Sequence, residues 1–358
     1  MNKIVTTTVV FLVPLVLAVF SRAPVSAQET AGQILAKLNK LPGEKRQQVL
    51  AEKAKSEGEV TFYSSLQSSQ LEPFAQLFSK RFPFVKVNTA RMSGGGQINK
   101  IQTEYRARRY LVDVINGGAE QAAAIKGFGA ADAYDSPQRQ FFPPALKDKE
   151  SYFTSLYITP MVLGYNTKLV KPNEAPKTYE DLLNPRWKSG MFLDDEAFEW
   201  YVVLLRHFGR EKGLQYMKKL AQQDISMQRG RTGQTQLLVA GERPIGIYLS
   251  GHTVLDLKDK GAPLGWVALD PYLSQANMIM LARHAPHPYA AALFIDWSLS
   301  EEGQGMITTF GRVVARNGVK QRFPELIEKK STLVDAEMMG PILAETSKEF
   351  RSIFMPGR

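Results

Sequence analysis

Short β-branched and aromatic runs alternate with segments of helical periodicity along the first half of the chain. The run at 59–63 predicts a strand, and apolar residues at helical spacing over 71–82 predict the helix that follows it. The alternation continues with predicted strands at 84–87 and 111–115 and predicted helices at 98–105 and 120–125. Strands that alternate with helices predict a parallel sheet in an α/β layer architecture.

A second α/β block is expected at about 162–270. A long predicted strand at Tyr157–Asn166 precedes it, and further strands are predicted at 191–193, 245–249 and 278–281. The chain is predicted to be helical from Pro288 onward. Two apolar stripes before the first strand predict a pair of helices at 28–58, separated by Pro42 and ended by Gly58.

The first 27 residues have the pattern of a secretory signal peptide. Lys3 precedes an apolar run at 9–20, and the small residues Val25-Ser26-Ala27 form a cleavage pattern. The alternative is an uncleaved anchor, but the run is shorter than the roughly 20 residues that a spanning helix needs. We therefore expect cleavage after Ala27 and a periplasmic protein.

Composition narrows the classes of function. The chain has 358 residues, 44% of them hydrophobic, so two domains or one large one are expected. It contains no cysteine, which excludes disulfide frameworks, cysteine-bound metals and thiol catalysis. The net charge of +10 favours an anionic partner. An exported protein is not expected to bind nucleic acid, so the charge favours a small anionic ligand or a weak attraction to an anionic membrane surface. The alternative is that the charge serves only solubility.

Small polar residues follow each of the first three predicted strands. They are Ser64-Ser65, Ser93–Gly96 and Asn116–Ala119. Ligands of open α/β sheets bind beyond the carboxyl ends of the strands, so these three loops predict a backbone-lined binding site. The alternative is that Gly and Ser serve only as turn residues.

Three further groups carry candidate chemistry. Asp194-Asp195-Glu196 either caps a helix or contacts a hydroxylated or cationic ligand. Arg229 and Arg231 flank a glycine and are either a solvated loop or an anion site. The segment 248–253 offers hydroxyls, a glycine and one imidazole at a strand end. Motifs of serine hydrolases, nucleotide-binding loops and zinc proteases do not occur, so an enzyme is not expected, although the 194–196 carboxylates leave a hydrolase as an alternative.

Four segments, in this order and spacing, resemble the bacterial extracellular solute-binding proteins of ABC importers, specifically the group that includes ferric-ion-binding proteins. They are 58–65, 161–166, 179–188 and 294–304. The resemblance implies a type II periplasmic-binding-protein fold, in which two α/β lobes are joined by hinge strands and close on a ligand. It also implies an inner-membrane ABC permease as partner, a monomer and no cofactor.

The resemblance places the hinge strands near Tyr157–Asn166 and Gln275–Leu281. The expected division is a signal peptide (1–27), a helical extension (28–58), a first lobe (59–161 and 275–358) and a second lobe (162–274). An exported sensor or adaptor of the same fold remains an alternative.

Ferric members of the group hold iron with two tyrosines, a histidine and a glutamate. The tyrosine positions correspond here to His252-Thr253, the histidine position lies near Gln67, and the glutamate position is Gly118 or Glu120. Loss of both phenolates disfavours iron and favours a solute such as a phosphonate or sugar phosphate, so no metal site is predicted, and a ferric-iron-binding transport protein stays the alternative. Thiamine and polyamines are ligands of other related proteins.

The predicted ligand site combines the strand ends with the later polar groups. The serines and glycine-loop amides would donate hydrogen bonds, Arg231 would supply charge, and Tyr248 would stack or offer its hydroxyl. The predicted residues are Ser64, Ser65, Gln67, Ser93, Gly94, Gly95, Gly96, Gly118, Glu120, Asp194, Asp195, Arg231, Tyr248, Ser250 and His252.

Overall fold

The computed structural model describes residues 29–334 and 342–357. The predicted signal peptide at 1–27 lies outside this range. None of the helices in the described residues is both long and apolar enough to cross a bilayer.

Helices and strands alternate through most of the described chain. The helices are α1 Ala31–Leu38, α2 Gly43–Glu57, α3 Ser68–Arg81, α4 Gly94–Arg106, α5 Ala119–Gly127, α6 Phe198–Phe208, α7 Arg210–Ala221, α8 Arg231–Ala240, α9 Gly251–Asp259, α10 Pro288–Ser298, α11 Glu301–Thr309, α12 Glu325–Glu328 and α13 Leu343–Phe354. The strands are β1 Glu59–Ser64, β2 Lys86–Arg91, β3 Val114–Gly118, β4 Ala131–Asp132, β5 Thr154–Asn166, β6 Met191–Asp194, β7 Ser226–Gln228, β8 Ile245–Ser250, β9 Leu264–Val267, β10 Leu273–Ala282 and β11 Thr332–Val334.

The strands form one continuous curled sheet in the order β2-β1-β3-β10-β5-β8-β6-β7. At one end β1 pairs parallel with β2 and β3, and at the other end β6 pairs parallel with β7 and β8. The long strands β5 and β10 pair antiparallel to each other in the middle. Each end of the sheet is therefore a parallel α/β unit of the kind that the sequence predicts, and two long strands join the units.

Two principal hydrophobic cores define two lobes. The first lobe packs around Phe62, Phe78 and Phe294. The ring centroid of Phe294 lies 4.9 Å from that of Phe62 and 4.9 Å from that of Phe78. The second lobe packs around Trp200 and Leu193, both fully buried. Strands β5 and β10 contribute side chains to both cores, as expected for hinge strands. The predicted two-lobed α/β fold is therefore confirmed.

The third strand begins later than the sequence suggests, at Val114 instead of Leu111. The reason is Asp113, whose buried carboxylate accepts hydrogen bonds from the Thr61 amide at 2.7 Å and the His287 amide at 2.7 Å. The strand then continues through Gly118, which pairs with Asn277 of β10. The second strand likewise lies at 86–91 and not at 84–87.

The C-terminal residues do not follow the expected first-lobe assignment. Phe350 of α13 packs against Phe198 and Tyr201, with ring centroids 5.4 and 5.7 Å apart. Before α13, Phe323 and Leu326 pack on second-lobe residues that include Val254. The chain therefore crosses between the lobes a third time after α11 and returns to the second lobe, because the apolar stripe of α13 finds its complement on α6 and α7.

The N-terminal helices α1 and α2 pack on α10 of the first lobe. The guanidinium of Arg46 lies 2.9 Å from the carboxylate of Asp296, and both side chains are at least nine-tenths buried. The Tyr134 hydroxyl donates a hydrogen bond to the same carboxylate at 2.8 Å. This buried network joins the helical extension to the body of the first lobe.

Candidate functional site

A polar cleft of about 310 Å³ lies between the lobes, at the carboxyl ends of the parallel strands. The hinge strands β5 and β10 contribute side chains to it, and loops of both lobes form its walls. It is lined by Ser65, Gln67, Arg91, Ser93, Gly94, Gly118, Glu120, Gln121, Tyr157, Thr159, Asp194, Glu196, Glu199, Arg229, Gly230, Arg231, Thr232, Ser250, His252, Gln275, Asn277 and Arg312.

Five helices begin at this cleft. Their N-cap residues all line it, and none of these residues caps its helix through its side chain: Gln67, Ser93, Gly118, Gly230 and Ser250. Away from the cleft, α1 and α11 are capped by the hydroxyls of Thr30 and Ser300, whereas α2, α7 and α10 also lack a side-chain cap. The first amides of a helix lack intrahelical acceptors and carry partial positive charge. The cleft therefore collects amide donors that are suited to the oxygens of an anion.

We call Arg312 and His252 the basic pole of the cleft. Arg312 is 7% exposed, and its guanidinium donates to Gln70 Oε1 at 3.0 Å and Thr159 Oγ1 at 3.3 Å. Its centre lies 4.6 Å from the Tyr157 ring. Burial lowers the pKa of Arg312, and among the described residues no carboxylate forms an ion pair with it. The guanidinium is therefore a buried charge with only neutral partners.

His252 lies beside this guanidinium and is 3% exposed. Burial, reinforced by the charge of Arg312, holds the pKa of His252 well below its usual range. Its Nδ1 atom has no hydrogen-bond partner among the described residues, and Nε2 lies 3.2 Å from Thr253 Oγ1. The imidazole is therefore neutral and leaves one nitrogen for a ligand.

We call Glu120, Asp194, Glu196 and Glu199 the acidic pole. Arg229 pairs with Glu196 at 2.8 Å, and Arg231 lies 3.7 Å from Asp194.

The carboxylate of Glu199 is 5% exposed and accepts hydrogen bonds from Gln275 Nε2 and, at 3.4 Å, from the Tyr248 hydroxyl. Burial raises the pKa of Glu120 to about 7, with Glu199 and Glu196 adding to the effect. Glu120 makes no hydrogen bond with another described residue.

The lobes touch across the cleft. Gln67 Nε2 of the first lobe donates to Thr232 Oγ1 of the second lobe at 3.1 Å. The Glu196 carboxylate reaches the first residue of α4, where a Cβ on Gly94 would lie 2.8 Å from Glu196 Oε2. Gly94 has φ of +57°, so a side chain there would be strained as well as crowded. The structure is thus a closed form, in which Glu196 is placed at a helix N-terminus of the opposite lobe.

Ten of the fifteen predicted site residues line the cleft together. They are Ser65, Gln67, Ser93, Gly94, Gly118, Glu120, Asp194, Arg231, Ser250 and His252.

The other five do not line it. Ser64 is fully buried and hydrogen-bonds to Asn116 Oδ1 and the Leu66 amide, so it has no hydroxyl to offer a ligand. Tyr248 is buried under the Arg231 guanidinium and directs its hydroxyl to Glu199, which leaves no face for stacking. Gly95, Gly96 and Asp195 lie one or two residues beyond cleft-lining positions.

The sequence analysis missed the residues of the hinge strands and Arg312. Tyr157 and Thr159 of β5 are two positions apart, as are Gln275 and Asn277 of β10. The residues of each pair therefore face the same side of the sheet. Polar residues at period two within largely apolar strands are the signal that marks them. Arg312 carries no comparable signal, since it follows a helix C-terminus and not a strand.

No group of three or more His, Asp or Glu side chains within 29–334 and 342–357 is arranged to hold a metal ion. Tyr157 is the one tyrosine among the cleft-lining residues, and it lies under Arg312. The cleft thus lacks the paired phenolates of the ferric-binding pattern.

A two-lobed α/β fold with a polar cleft at the strand ends defines a protein that encloses a small ligand by lobe closure. The chain belongs to the bacterial extracellular solute-binding proteins, whose family pattern matches residues 123–335, more than half of the chain. Members of this family bind small-molecule solutes and work with ABC permeases. The resemblance noted in the sequence is therefore confirmed at the level of the family.

Solved structures share this fold, and one relative is similar in sequence. The chain is 22% identical to the periplasmic binding protein AfuA of Actinobacillus pleuropneumoniae with fructose-6-phosphate bound, covering 83% of this chain and 98% of that one with a TM-score of 0.75. It is 18% identical to iron-bound HitA of Pseudomonas aeruginosa, covering 82% and 99%, with a TM-score of 0.73. An uncharacterized Haemophilus influenzae protein is 25% identical over 266 residues, 70% of this chain and 75% of its own length.

Proposed function

We propose that this protein captures a small, oxygen-rich anion of the phosphate-ester or phosphonate class and delivers it to an ABC permease. The observation that carries the proposal is Arg312, a buried guanidinium with no carboxylate partner in the described part of the chain, in a cleft at which five helices begin without side-chain caps. A buried charge without a counter-charge is costly, and an anionic ligand supplies the missing partner.

The basic pole matches the geometry of a phosphate group. A guanidinium binds two oxygens through its planar fork, and the first amides of α3 and α9, next to Gln67 and Ser250, can donate to the others. The neutral His252 adds a group that accepts or donates according to its tautomer. Hydroxyl and amide side chains such as Thr159, Thr232 and Asn277 provide further contacts for an oxygen-rich body.

The volume of the cleft limits the size of the ligand. Its 310 Å³ corresponds to about ten water molecules at roughly 30 Å³ each. A phosphorylated monosaccharide or a smaller molecule fits this volume. The presence of fructose-6-phosphate in AfuA shows that a protein of this fold takes such a ligand.

The remaining properties follow from the family and from the N-terminal pattern. We propose export to the periplasm with cleavage after Ala27, a monomer, and a transport role without catalysis. We also propose that the lobe division follows the two cores, with 162–274 and the C-terminal helix in the second lobe.

The test is a binding screen on the mature protein by thermal shift, followed by calorimetry. Matched pairs such as glucose and glucose 6-phosphate isolate the contribution of the anionic group. A ligand at 100 times its Kd should add about 2.7 kcal/mol to the free energy of unfolding. The proposal is supported if the phosphorylated compound of a pair stabilises the protein and its unphosphorylated partner does not. Equal effects within each pair, or binding of Fe(III) without any phosphate compound, would overturn it. Co-purification with a sensor kinase instead of a permease would support the adaptor alternative.

A further inference from the structure

We propose that the ligand is a zwitterion, whose anionic group binds the basic pole and whose ammonium group binds the acidic pole next to Glu120. The inference rests on the proposed function, because the anionic end is the one that Arg312 recognises. It deepens that function by assigning a charge to the opposite end of the ligand.

The charges of the cleft are unevenly distributed. The acidic pole has four carboxylates, but only Arg229 and Arg231 are paired with them. Arg229 is 66% exposed at the rim, where water weakens its charge. Arg312 donates to Gln70 and Thr159 and forms no ion pair with a described carboxylate, so it is not paired with the acidic pole. The four carboxylates of the acidic pole therefore share two paired arginines, while Arg312 and the exposed Arg91, which also lines the cleft, have no carboxylate partner among the described residues.

Glu120 is the carboxylate of this pole that the protein leaves without a donor. Glu199 accepts from Gln275 and Tyr248, and Glu196 accepts from Arg229. Glu120 stands in the first turn of α5, lines the cleft and makes no hydrogen bond with the described residues. Its oxygens are therefore available to a ligand.

Lobe closure makes this arrangement costly without a cation. Glu120 belongs to the first lobe, whereas Glu196 and Glu199 belong to the second, so closure brings like charges together. Arg231 is the cationic group that faces Glu120, and it is already shared with Asp194 and Glu199. Burial is the first cause of the raised pKa of Glu120, and the charges of Glu199 and Glu196 add to it. A ligand ammonium would remove the repulsion and favour the closed form, while a neutral hydroxyl would not.

Three phosphate monoesters with the same two-carbon chain test the inference by calorimetry: 2-aminoethyl, 2-hydroxyethyl and ethyl phosphate. We expect the amino compound to bind about tenfold or more tightly than the ethyl compound, because it forms a desolvated charge pair. In Glu120→Gln this preference should fall to the level of the hydroxyl compound. Glu72→Gln, on an exposed position of α3, should leave it unchanged.

Proton linkage gives a second readout. An ammonium next to Glu120 stabilises the carboxylate, so binding of the amino compound near pH 7 should release protons, measured as a dependence of the binding enthalpy on the ionisation enthalpy of the buffer. Equal affinity for the three esters, or proton uptake with the amino compound, would overturn the zwitterion inference and leave the anion site standing. Failure of all three esters to bind, together with the glucose 6-phosphate pair, would overturn the proposed function itself.

Discussion

Replacement of Arg312 by methionine separates ligand binding from folding. Methionine keeps an unbranched side chain of similar length and removes the charge. Hydrogen bonds to charged groups contribute about 1.5–3 kcal/mol, so loss of the guanidinium should raise the Kd for an anionic ligand about 10- to 150-fold.

The effect of this change on stability should be small. The variant loses hydrogen bonds to Gln70 and Thr159, which are worth about 1.5–3 kcal/mol each where one partner is charged. It also loses the desolvation penalty of a buried ion, which is several kcal/mol. The two effects oppose each other. We therefore expect the free energy of unfolding of the ligand-free protein either to rise or to fall by no more than about 1 kcal/mol.

Calorimetric titration and urea unfolding of the ligand-free protein measure the two quantities. Arg316→Met is the matched control, because Arg316 also has only neutral hydrogen-bond partners, Gln138 Oε1 and the Leu299 carbonyl, and lies outside the cleft. The control should bind as the wild type does. An Arg312→Met protein that retains full affinity would refute the assignment of the basic pole. A loss of stability above about 3 kcal/mol would show that Arg312 is structural, because its neutral contacts would then outweigh its desolvation.

Three other changes test separate parts of the structure. Burial raises the pKa of Glu120 from 4.5 to about 7, so the folded state holds a proton that the unfolded chain releases. The free energy of unfolding should therefore fall as pH rises from about 4.5 to about 7. Thermal unfolding of the ligand-free proteins should show a smaller fall in Glu120→Gln than in the wild type. Gly94→Ala should destabilise the protein by about 1–2 kcal/mol and weaken ligand binding, because φ is +57° and the new Cβ meets Glu196. In the control Gly95→Ala the new Cβ meets no atom within 4 Å, so stability and binding should stay unchanged. Equal behaviour of the two variants in calorimetry would contradict the lobe contact. Arg46→Met should cost about 3–5 kcal/mol in urea unfolding, because it leaves Asp296 buried without its cation, while Lys37→Met breaks an exposed pair and should cost less than about 1 kcal/mol.

The sequence was most informative where local chemistry determines local structure. The runs at 59–63 and 245–249 form strands because they are rich in β-branched and aromatic residues, most of which are buried, and this composition is visible without tertiary context. The expectation that ligands bind beyond the carboxyl ends of strands led to Ser65, Ser93 and Gly118. These residues line the cleft, because parallel strands bring their carboxyl ends to one edge.

Features that depend on distant partners were not predictable. The late start of β3 depends on Asp113 and its contacts with Thr61 and His287, far apart in sequence. The lobe membership of α13 depends on which apolar surface was left uncovered, and its amphipathic pattern does not reveal this. Arg312 became visible as a site residue only through its burial and its neutral surroundings.

The three crossings between the lobes place the two ends of the described chain on opposite sides of the cleft. Ala31 packs in the first core and Phe354 against the second. A donor and an acceptor fluorophore attached near these ends would therefore change their separation when the lobes open and close. The natural chain has no cysteine, so two introduced cysteines would be the only thiols available for labelling. With one fluorophore near each end of the described chain, the protein would convert solute capture into an optical signal, with no insertion into either lobe.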